Sequence, residues 1–598
     1  MMARQVGSRV DFSMVRQWLT CCTERHNDRC DEMTGQLKNE VPSPFFMVID
    51  VDKMCLEKLT EPSTYITLSY VWGANGENSF LTLKSNVNDL LASGSLDNVW
   101  NQLPKTIQDS ITVVKAIGHK YLWIDSLCIV QDDPESKEVH INSMDTIYSA
   151  SYFSIIAASG DNAGSGLPGV GQGSRRRPQR RFEGGSSRDF ILVDDVEVQL
   201  KTSPWVTRGW TYQEWFLSSR CLIFLESQVV FSCRYATFRE DIISEDLVPK
   251  WHRLNDVDFS YLCLDYELRP YRRYMLQRDL RRDLGDILML TIREFLERKL
   301  TYDDDVLNAF QGVLRDFATL AQSEMVQGTI VGLLDWAILF ETHGSRRRTF
   351  PSWTWCAWTG LPNWITDGSL FEWIDEQSWI VWHYRGIEAT SIVNVPRGKS
   401  WQWSISREKA SQITDLEDWN DCTFALMVHW HVFKHDRKIE ATAVDLDVNA
   451  HFSPSIAKNK AFLQFWSFSL PVTFTCTATR STNKISVPDL TFFDVDGVRC
   501  GEIQSLDTHI DSKQIQGRYE VVVLSESNWA KGSSSYVDHK DRKTVRESGR
   551  RVVDGNLNVM LVEWHGMIAE RIGVGRVWKE TVNYLPQPGL VWKEFILG

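Results

Sequence analysis

The sequence predicts an α/β fold: a domain on a parallel sheet, then a helical segment and a β-rich, tryptophan-rich C-terminal region. The first observation is a buried, strand-like run at residues 121–133 that ends in polar side chains. Helix-patterned runs at residues 103–118 and 135–150 flank it, which is the order of a βαβ unit. Further apolar runs of strand length lie at residues 45–50, 65–73, 152–158, 221–225 and 229–233.

Length and composition indicate several domains. The chain has 598 residues, more than one hydrophobic core usually holds. Composition changes along it predict four parts: a helix-and-strand lead-in at 1–60, the α/β domain at 61–240, a helical region at 241–345 and a β-rich region at 346–598. Of 25 tryptophans, 12 lie between Trp353 and Trp466.

Charge and hydropathy restrict the classes of partner. A net charge of −13 argues against nucleic acid. The longest apolar run, residues 326–340, is interrupted by Asp335 and predicts a buried helix rather than a membrane span. Twelve scattered cysteines without an apolar leader predict reduced thiols and a cytoplasmic location.

The clearest helix lies at residues 103–118. Pro104 suits the first turn and Gly118 suits the end, as in many helices. Four β-branched residues fall on one face of this helix: Ile107, Ile111, Val114 and Ile117.

Polar and aromatic side chains follow two predicted strands. Asp125 and Gln131 come where the run at 121–133 would pass into its loop, and open α/β sheets bind ligands at the carboxyl ends of their strands. Ser69 and Tyr70 end another strand. The structural alternatives are a turn or helix cap for Asp125, and a turn cap with a packed aromatic for Ser69 and Tyr70.

Glu214 has two interpretations. With Thr211 it forms the pattern of a capping box, in which the carboxylate accepts from the backbone N–H of the threonine. Alternatively, Trp205, Trp210 and Trp215 surround it, and an apolar environment would raise its pKa and strengthen its electrostatic effect.

Two cysteine patterns point to chemistry only weakly. Cys22, His26 and Cys30 recur at every fourth position, but three ligands without a second pair fall short of a usual zinc motif. The sequence therefore predicts an ordinary helix and no metal site. Cys128 has no evident histidine partner in the sequence, which favours a buried strand cysteine over a nucleophile.

Four sequence blocks, in order, resemble the fungal heterokaryon incompatibility (HET) domain family. Residues 65–73 resemble its Y-x-x-L-S-Y-x-W-G block. The other three blocks are residues 103–133, 144–169 and 205–224. The chain departs from the pattern at Ser110, where alanine is common, and at Val130, where isoleucine is usual.

This resemblance implies a role in fungal nonself recognition, or allorecognition, as a programmed cell-death effector of innate immunity. HET domains are similar to TIR domains, which have a flavodoxin-like wound sheet, and some TIR domains cleave NAD⁺. The spacing from Trp210 to Glu214 matches that before the catalytic glutamate of such enzymes. The resemblance thus implies a TIR-like NAD⁺ glycohydrolase with Glu214 as catalytic carboxylate, NAD⁺ as substrate and no cofactor.

The resemblance also suggests which residues contact the substrate. Aromatic side chains could stack on its rings, and Arg208 could bind a phosphate, with pairing to a nearby carboxylate as the structural alternative. The predicted substrate-binding residues are Ser69, Tyr70, Trp72, Asp125, Gln131, Arg208 and Trp210.

The competing hypothesis is a non-enzymatic signalling module. It would act by association with protein partners of an incompatibility system or with itself, and the tryptophan-rich C-terminal part would supply the surface. A pocket that joins Glu214, Asp125 and Ser69 favours the enzyme. A flat, filled surface at the strand ends favours association.

Overall fold

The computed structural model describes two compact units. Unit 1 comprises Met1–Arg278 and Glu297–Val313, and unit 2 comprises Asp279–Leu296 and Leu314–Gly598. The described residues are 2–26, 30, 41–73, 80–171, 175, 177–184, 188–192, 194–234, 236–243, 280–342, 344–364, 378–385, 392–394, 462–482, 485–493, 496–503, 519–527, 556–578, 581–582, 585 and 589–598.

Unit 1 is organised around an eight-stranded sheet. Its strands are β1 (Met47–Asp50), β2 (Cys55–Lys58), β3 (Tyr65–Ser69), β4 (Tyr121–Trp123), β5 (Ser154–Ala157), β6 (Arg220–Phe224), β7 (Val229–Cys233) and β8 (Thr237–Arg239). Their spatial order is β8-β7-β6-β5-β3-β4-β1-β2. The predicted strands are therefore present, and the two motif-bearing strands β3 and β4 lie side by side at the centre.

The sheet is mixed, which corrects the prediction of a parallel sheet. The four central strands β4, β3, β5 and β6 pair in parallel. The outer strands pair antiparallel on both sides. Short turns join β1 to β2 and β6 to β7 to β8, and such turns permit only antiparallel neighbours, whereas the helix-containing connections between the central strands permit parallel ones.

Helices of unit 1 occupy the longer connections. They are α1 (Phe12–His26), α2 (Lys105–Ile117), α3 (Asp125–Cys128), α4 (Pro134–Asn142), α5 (Met144–Ala150), α6 (Val196–Lys201) and α7 (Thr211–Leu217). Shorter helices and 3₁₀ turns are Val87–Leu90, Ser95–Asn98, Trp100–Gln102, Ala163–Ser165, Trp205–Thr207 and Asp303–Val306. Two small antiparallel pairs are Met2–Ala3 with Ile242–Ile243 and Arg181–Gly184 with Arg188–Ile191.

Helix α2 confirms the clearest sequence prediction. Pro104 precedes its first turn, and Gly118 ends it with φ +90°, a left-handed conformation that glycine adopts without strain. Ile107 and Ile111 are buried. The helix predicted at 135–150 is instead two helices, α4 and α5, which are separated at Ser143.

Unit 2 is β-rich, as predicted. Its main strands are β9 (Val381–Arg385), β10 (Ile392–Asn394), β11 (Phe462–Ser469), β12 (Thr473–Thr482), β13 (Ile485–Phe493), β14 (Arg499–Ile503), β15 (Tyr519–Ser527), β16 (Asn556–His565), β17 (Ile568–Trp578) and β18 (Val591–Leu597). They form one sheet in the order β10-β9-β11-β15-β16-β17-β14-β13-β12, and β18 pairs with both β11 and β17. Its core includes Trp379, Phe468 and Leu490.

Other elements of the C-terminal half are short. The helices are Leu280–Leu296, Gln311–Leu320 and Leu334–Ala337, with 3₁₀ turns at Val331–Leu333 and Trp355–Ala357. Two small antiparallel pairs are Met325–Val326 with Thr329–Ile330 and Phe340–Glu341 with Asn363–Trp364.

The apolar run at 326–340 is buried but is not the single helix that was predicted. Gln327 and Gly328 have φ of 46° and 80°, and this left-handed turn reverses the chain before a helix can form. Only Leu334–Ala337 is α-helical. None of the described helices is long and apolar enough to cross a membrane.

Many of the C-terminal tryptophans pack inside unit 2. Six of those between Trp353 and Trp466 are buried: Trp353, Trp355, Trp358, Trp364, Trp379 and Trp382. Trp336 and Trp364, for example, stack with ring centroids 5.0 Å apart. Five others lie outside the described residues: Trp373, Trp401, Trp403, Trp419 and Trp430.

Candidate functional site

Glu214 faces the carboxyl end of the central strand β3. It lies in the first turn of α7, and its Oε2 accepts a hydrogen bond from Oγ of Ser69, the last residue of β3. The indole N–H of Trp205 donates to the same Ser69 oxygen at 2.7 Å. Because an indole can only donate, Ser69 must accept from Trp205 and direct its own hydrogen to Glu214.

Helix α5 completes the surroundings of the carboxylate. The hydroxyl of Tyr148 donates to the carbonyl of Leu68 at 3.1 Å, and it lies close enough to Glu214 to oppose the rise in the pKa of that carboxyl. Trp123 packs edge-on against the Tyr148 ring, with centroids 5.8 Å apart. Glu214 is 7% exposed and Ser69 1%, so these polar groups meet out of bulk water.

The capping box that the sequence suggested is not formed. The residue that precedes α7 is Trp210, and no side chain caps this end of the helix. Thr211 instead donates its hydroxyl to the carbonyls of Trp205 and Arg208, each at 2.8 Å. Glu214 is therefore held by tertiary contacts and not by a local capping interaction.

A second carboxylate lies at the end of the neighbouring strand β4. Asp125 begins α3, and its Oδ2 accepts from the indole N–H of Trp72 at 2.9 Å. Its Oδ1 accepts from the backbone N–H of Ser126 at 2.7 Å, which is the turn contact that the structural alternative predicted. Asp125 thus has both a local bond and an aromatic partner from the β3 end.

Burial raises the pKa of both carboxylates. Burial raises the pKa of Glu214 to about 7, the charge of Asp125 adds to this, and the Ser69 hydrogen bond and the Arg208 charge oppose it. Burial likewise raises the pKa of Asp125 to about 6. Two such carboxylates in one cluster are a common signature of functional sites.

The remaining predicted residues divide into two groups. Arg208 is half-buried, donates to the carbonyl of Tyr70 at 3.1 Å and acts electrostatically on both carboxylates. Trp72 and Trp210 are half-buried, and Trp210 hydrogen-bonds Asp305. These three side chains retain exposed surface beside the carboxylates.

Tyr70 and Gln131 mainly support the site. The Tyr70 ring is buried, and its hydroxyl donates to Ser126 Oγ at 2.9 Å, so it matches the packed-aromatic interpretation. Gln131 donates its side-chain amide to the carbonyls of Asp125 and Ile129 at 2.9 and 3.2 Å. This bond fixes the loop after β4.

Tyr148 belongs to this cluster but is not among the residues that the sequence predicts. Helical periodicity treats such an aromatic ring as part of the core. A buried tyrosine hydroxyl, however, usually requires a polar partner. That requirement was the available signal, although the partner lies far away in the chain.

Cys128 is buried, as predicted, but it is the last residue of α3 and not part of a strand. Its sulfur accepts from the backbone N–H of Ile124 at 3.3 Å, and burial raises its pKa to about 12.

A cavity of about 160 Å³ lies elsewhere in unit 1, next to Phe46, Tyr65 and Tyr152. Tyr65 is the first residue of β3, whereas Glu214 contacts Ser69, its last residue. The cavity therefore lies at the amino end of β3, away from Glu214.

Comparisons with known proteins agree with the motif pattern. Residues 65–214 match the family described as Heterokaryon incompatibility protein (HET). The chain is 23% identical over 218 residues to Heterokaryon incompatibility protein 6, OR allele, of Neurospora crassa, and the match covers 31% of this chain and 31% of that protein. No solved structure matches the chain. The segment that matches the HET family begins at the first residue of β3 and ends at Glu214, so the similarity to the family covers the central strands of the unit 1 sheet and the candidate site.

Proposed function

We propose that this protein is a fungal incompatibility effector that causes cell death by cleaving NAD⁺, with Glu214 as the catalytic carboxylate. The observation that carries the chemistry is the buried carboxylate cluster. Glu214 is held by Ser69 at the end of the central strand, with Tyr148, Asp125 and Arg208 close enough to shift its pKa.

The biological role is supported by the HET domain and by a relative that is named a heterokaryon incompatibility protein. The chain spans about a third of that relative's length. The activity, partners and trigger of the relative are therefore extended to this chain only as part of the proposal.

The reaction needs one ionised carboxylate. The bond between the ribose C1′ and the nicotinamide nitrogen breaks, and the nitrogen keeps the electron pair and leaves as neutral nicotinamide. No general acid is required, in contrast to ordinary glycoside hydrolysis. Ionised Glu214 stabilises the positive charge that develops on the ribose. Water then adds to C1′, its proton is released to solvent, and ADP-ribose is formed.

The neighbouring groups suit binding and positioning. Arg208 has the planar donor group that recognises phosphate, and the half-buried rings of Trp72 and Trp210 suit stacking against the nicotinamide or adenine. Ser69 orients the Glu214 carboxylate through the bond that it donates. Tyr70 and Gln131 act on the substrate indirectly, because their polar groups are bonded within the protein.

The test is NAD⁺ turnover by the purified full chain, both free and artificially clustered. We expect nicotinamide and ADP-ribose from the native chain and a loss of at least about 100-fold in Glu214→Gln, the range expected when a key electrostatic group is removed. Glu226→Gln makes the same chemical change at an exposed turn of unit 1 and should keep full activity. Unchanged turnover in a folded Glu214→Gln protein would remove Glu214 from the mechanism.

A further inference from the structure

Three cysteines of unit 1 converge at a place remote in sequence from the carboxylate cluster. Cys22 lies in α1, Cys30 follows that helix, and Cys233 is the last residue of β7. Their sulfur atoms all lie within 4.8 Å of one another. All three side chains are buried, and none is in a disulfide.

Hydrogen-bond donors point at this sulfur cluster. The Nε of Arg220, a side chain with no exposed surface, donates to Cys22 Sγ at 3.2 Å. The backbone N–H of Ala236 donates to Cys233 Sγ at 3.3 Å. Neutral thiols are weak acceptors. A neutral thiol such as Cys128 also accepts from a backbone N–H, so the informative donor is the charged guanidinium of Arg220. It is better suited to a thiolate that a metal holds deprotonated, because groups around a metal site commonly hydrogen-bond its ligands.

We propose that Cys22, Cys30 and Cys233 bind one structural Zn²⁺ ion. Thiolates are preferred zinc ligands, at about 2.3 Å. Tetrahedral geometry at that length spaces the sulfurs about 3.8 Å apart, which the observed cluster permits. Binding displaces three thiol protons to solvent and needs no oxidant.

The charges at this place favour a three-thiolate site. Three thiolates around Zn²⁺ carry one net negative charge, and the buried guanidinium of Arg220 supplies one positive charge that offsets it. The described residues supply three ligands, and a tetrahedral zinc ion takes a fourth. The side chain of His26, which the sequence had grouped with Cys22 and Cys30, lies outside the described residues.

The proposed ion would link the N-terminal helix α1 to strand β7, the second strand from the edge of the sheet. Trp18 of α1 already stacks on Phe238 of β8 at 6.2 Å between ring centroids. Cys22 and Cys30 precede the family-matched segment 65–214, and Cys233 follows it. The metal would thus join two segments that enclose the HET match, a structural role independent of NAD⁺ cleavage.

The decisive experiment measures metal on the full chain, purified under reducing conditions without added chelator. We expect about one zinc per chain, loss of that zinc in Cys233→Ser, and full retention in Cys21→Ser, which changes a buried cysteine beside the cluster. Cobalt exchanged into the native chain should give thiolate charge-transfer and tetrahedral absorption bands. This arm remains decisive if Cys233→Ser does not fold.

Three results would overturn the proposal. They are a native chain without stoichiometric zinc or cobalt bands, a disulfide between two of the cysteines after alkylation under denaturing conditions, and equal zinc content in Cys233→Ser and the native chain.

Discussion

At the level of single residues, the chemistry of the site depends on how the neighbours of Glu214 set the pKa of its carboxyl group. Its carboxylate accepts from Ser69 and lies near the Tyr148 hydroxyl and the Arg208 charge, but it is buried and repelled by Asp125. The polar neighbours favour the ionised form, whereas burial and repulsion favour the protonated form. Burial is the largest of these effects, so the pKa rises to about 7.

This balance predicts a pH dependence of NAD⁺ cleavage. The mechanism needs ionised Glu214, so kcat/KM should rise with pH, about tenfold per unit below pH 7, and level off above it. Asp125→Asn removes a charge that raises the Glu214 pKa, and it should move the midpoint to lower pH. A profile that is flat from pH 5 to 8, or a shift to higher pH in Asp125→Asn, would contradict this assignment.

Trp205 offers a test of positioning. Trp205→Phe removes the N–H that holds Ser69 at 2.7 Å. A buried hydrogen bond is worth about 1 kcal/mol, so kcat should fall about fivefold while KM changes little. The matched control is Trp215→Phe, since the indole nitrogen of buried Trp215 has no hydrogen-bond partner among the described residues. Steady-state kinetics should show a lower kcat for Trp205→Phe and a native kcat for Trp215→Phe. Equal losses of kcat in the two variants would indicate general damage to packing.

The sequence predicted the residues at the strand ends better than their partners. Ser69, Asp125 and Glu214 were found because each follows or begins a recognisable element. Tyr148 and Cys233 were missed, since their roles depend on contacts across many residues of chain. Local patterns carry no information about such partners.

At the scale of elements, helices with clear ends and a clear apolar face were predicted well. Helix α2 matches to within two residues at each end because Pro104 and Gly118 mark its limits. The capping box at Thr211 failed because tertiary contacts of Glu214 replaced the local one. The helix predicted at 326–340 failed because hydrophobicity indicates burial, whereas two left-handed residues decided the path of the chain.

The packing of α2 yields a stability prediction. Ile111 is 1% exposed, and Ile111→Ala should destabilise unit 1 by about 2–5 kcal/mol through lost burial and a residual cavity. Lys115→Ala, on the exposed face of the same helix, should stay within about 0.5 kcal/mol. Thermal unfolding of the full chain measures both; similar midpoints for the two variants would contradict the observed helix face.

At the level of the whole molecule, the length of the connection between consecutive strands indicates whether they can pair in parallel. The sequence indicated parallel pairing because helices separate the central strands, and it is parallel there. Short turns join β1 to β2 and β6 to β7 to β8, and these strands pair antiparallel. Strand β1 also pairs antiparallel with β4, which lies far from it in the chain. Strand number and order could not be read from the sequence, because each apolar run is compatible with several neighbours.

The tryptophan-rich region does not favour the competing association hypothesis in the part that the structure describes. Its buried indoles, such as Trp353 and Trp379, stabilise the core of unit 2 and are not available to a partner. Composition alone had suggested a recognition surface. Burial shows that aromatic content and aromatic exposure are different properties.

Cell death through NAD⁺ cleavage at Glu214 can be tested by measuring cellular NAD⁺ after induced expression in a fungal host. The strains to compare express the native chain, Glu214→Gln and the surface control Glu226→Gln at equal protein levels. We expect NAD⁺ to fall before viability does with the native chain and the control, and neither to fall with Glu214→Gln. Equal cell death with undiminished NAD⁺ in the Glu214→Gln strain would contradict this mechanism and would favour action by association.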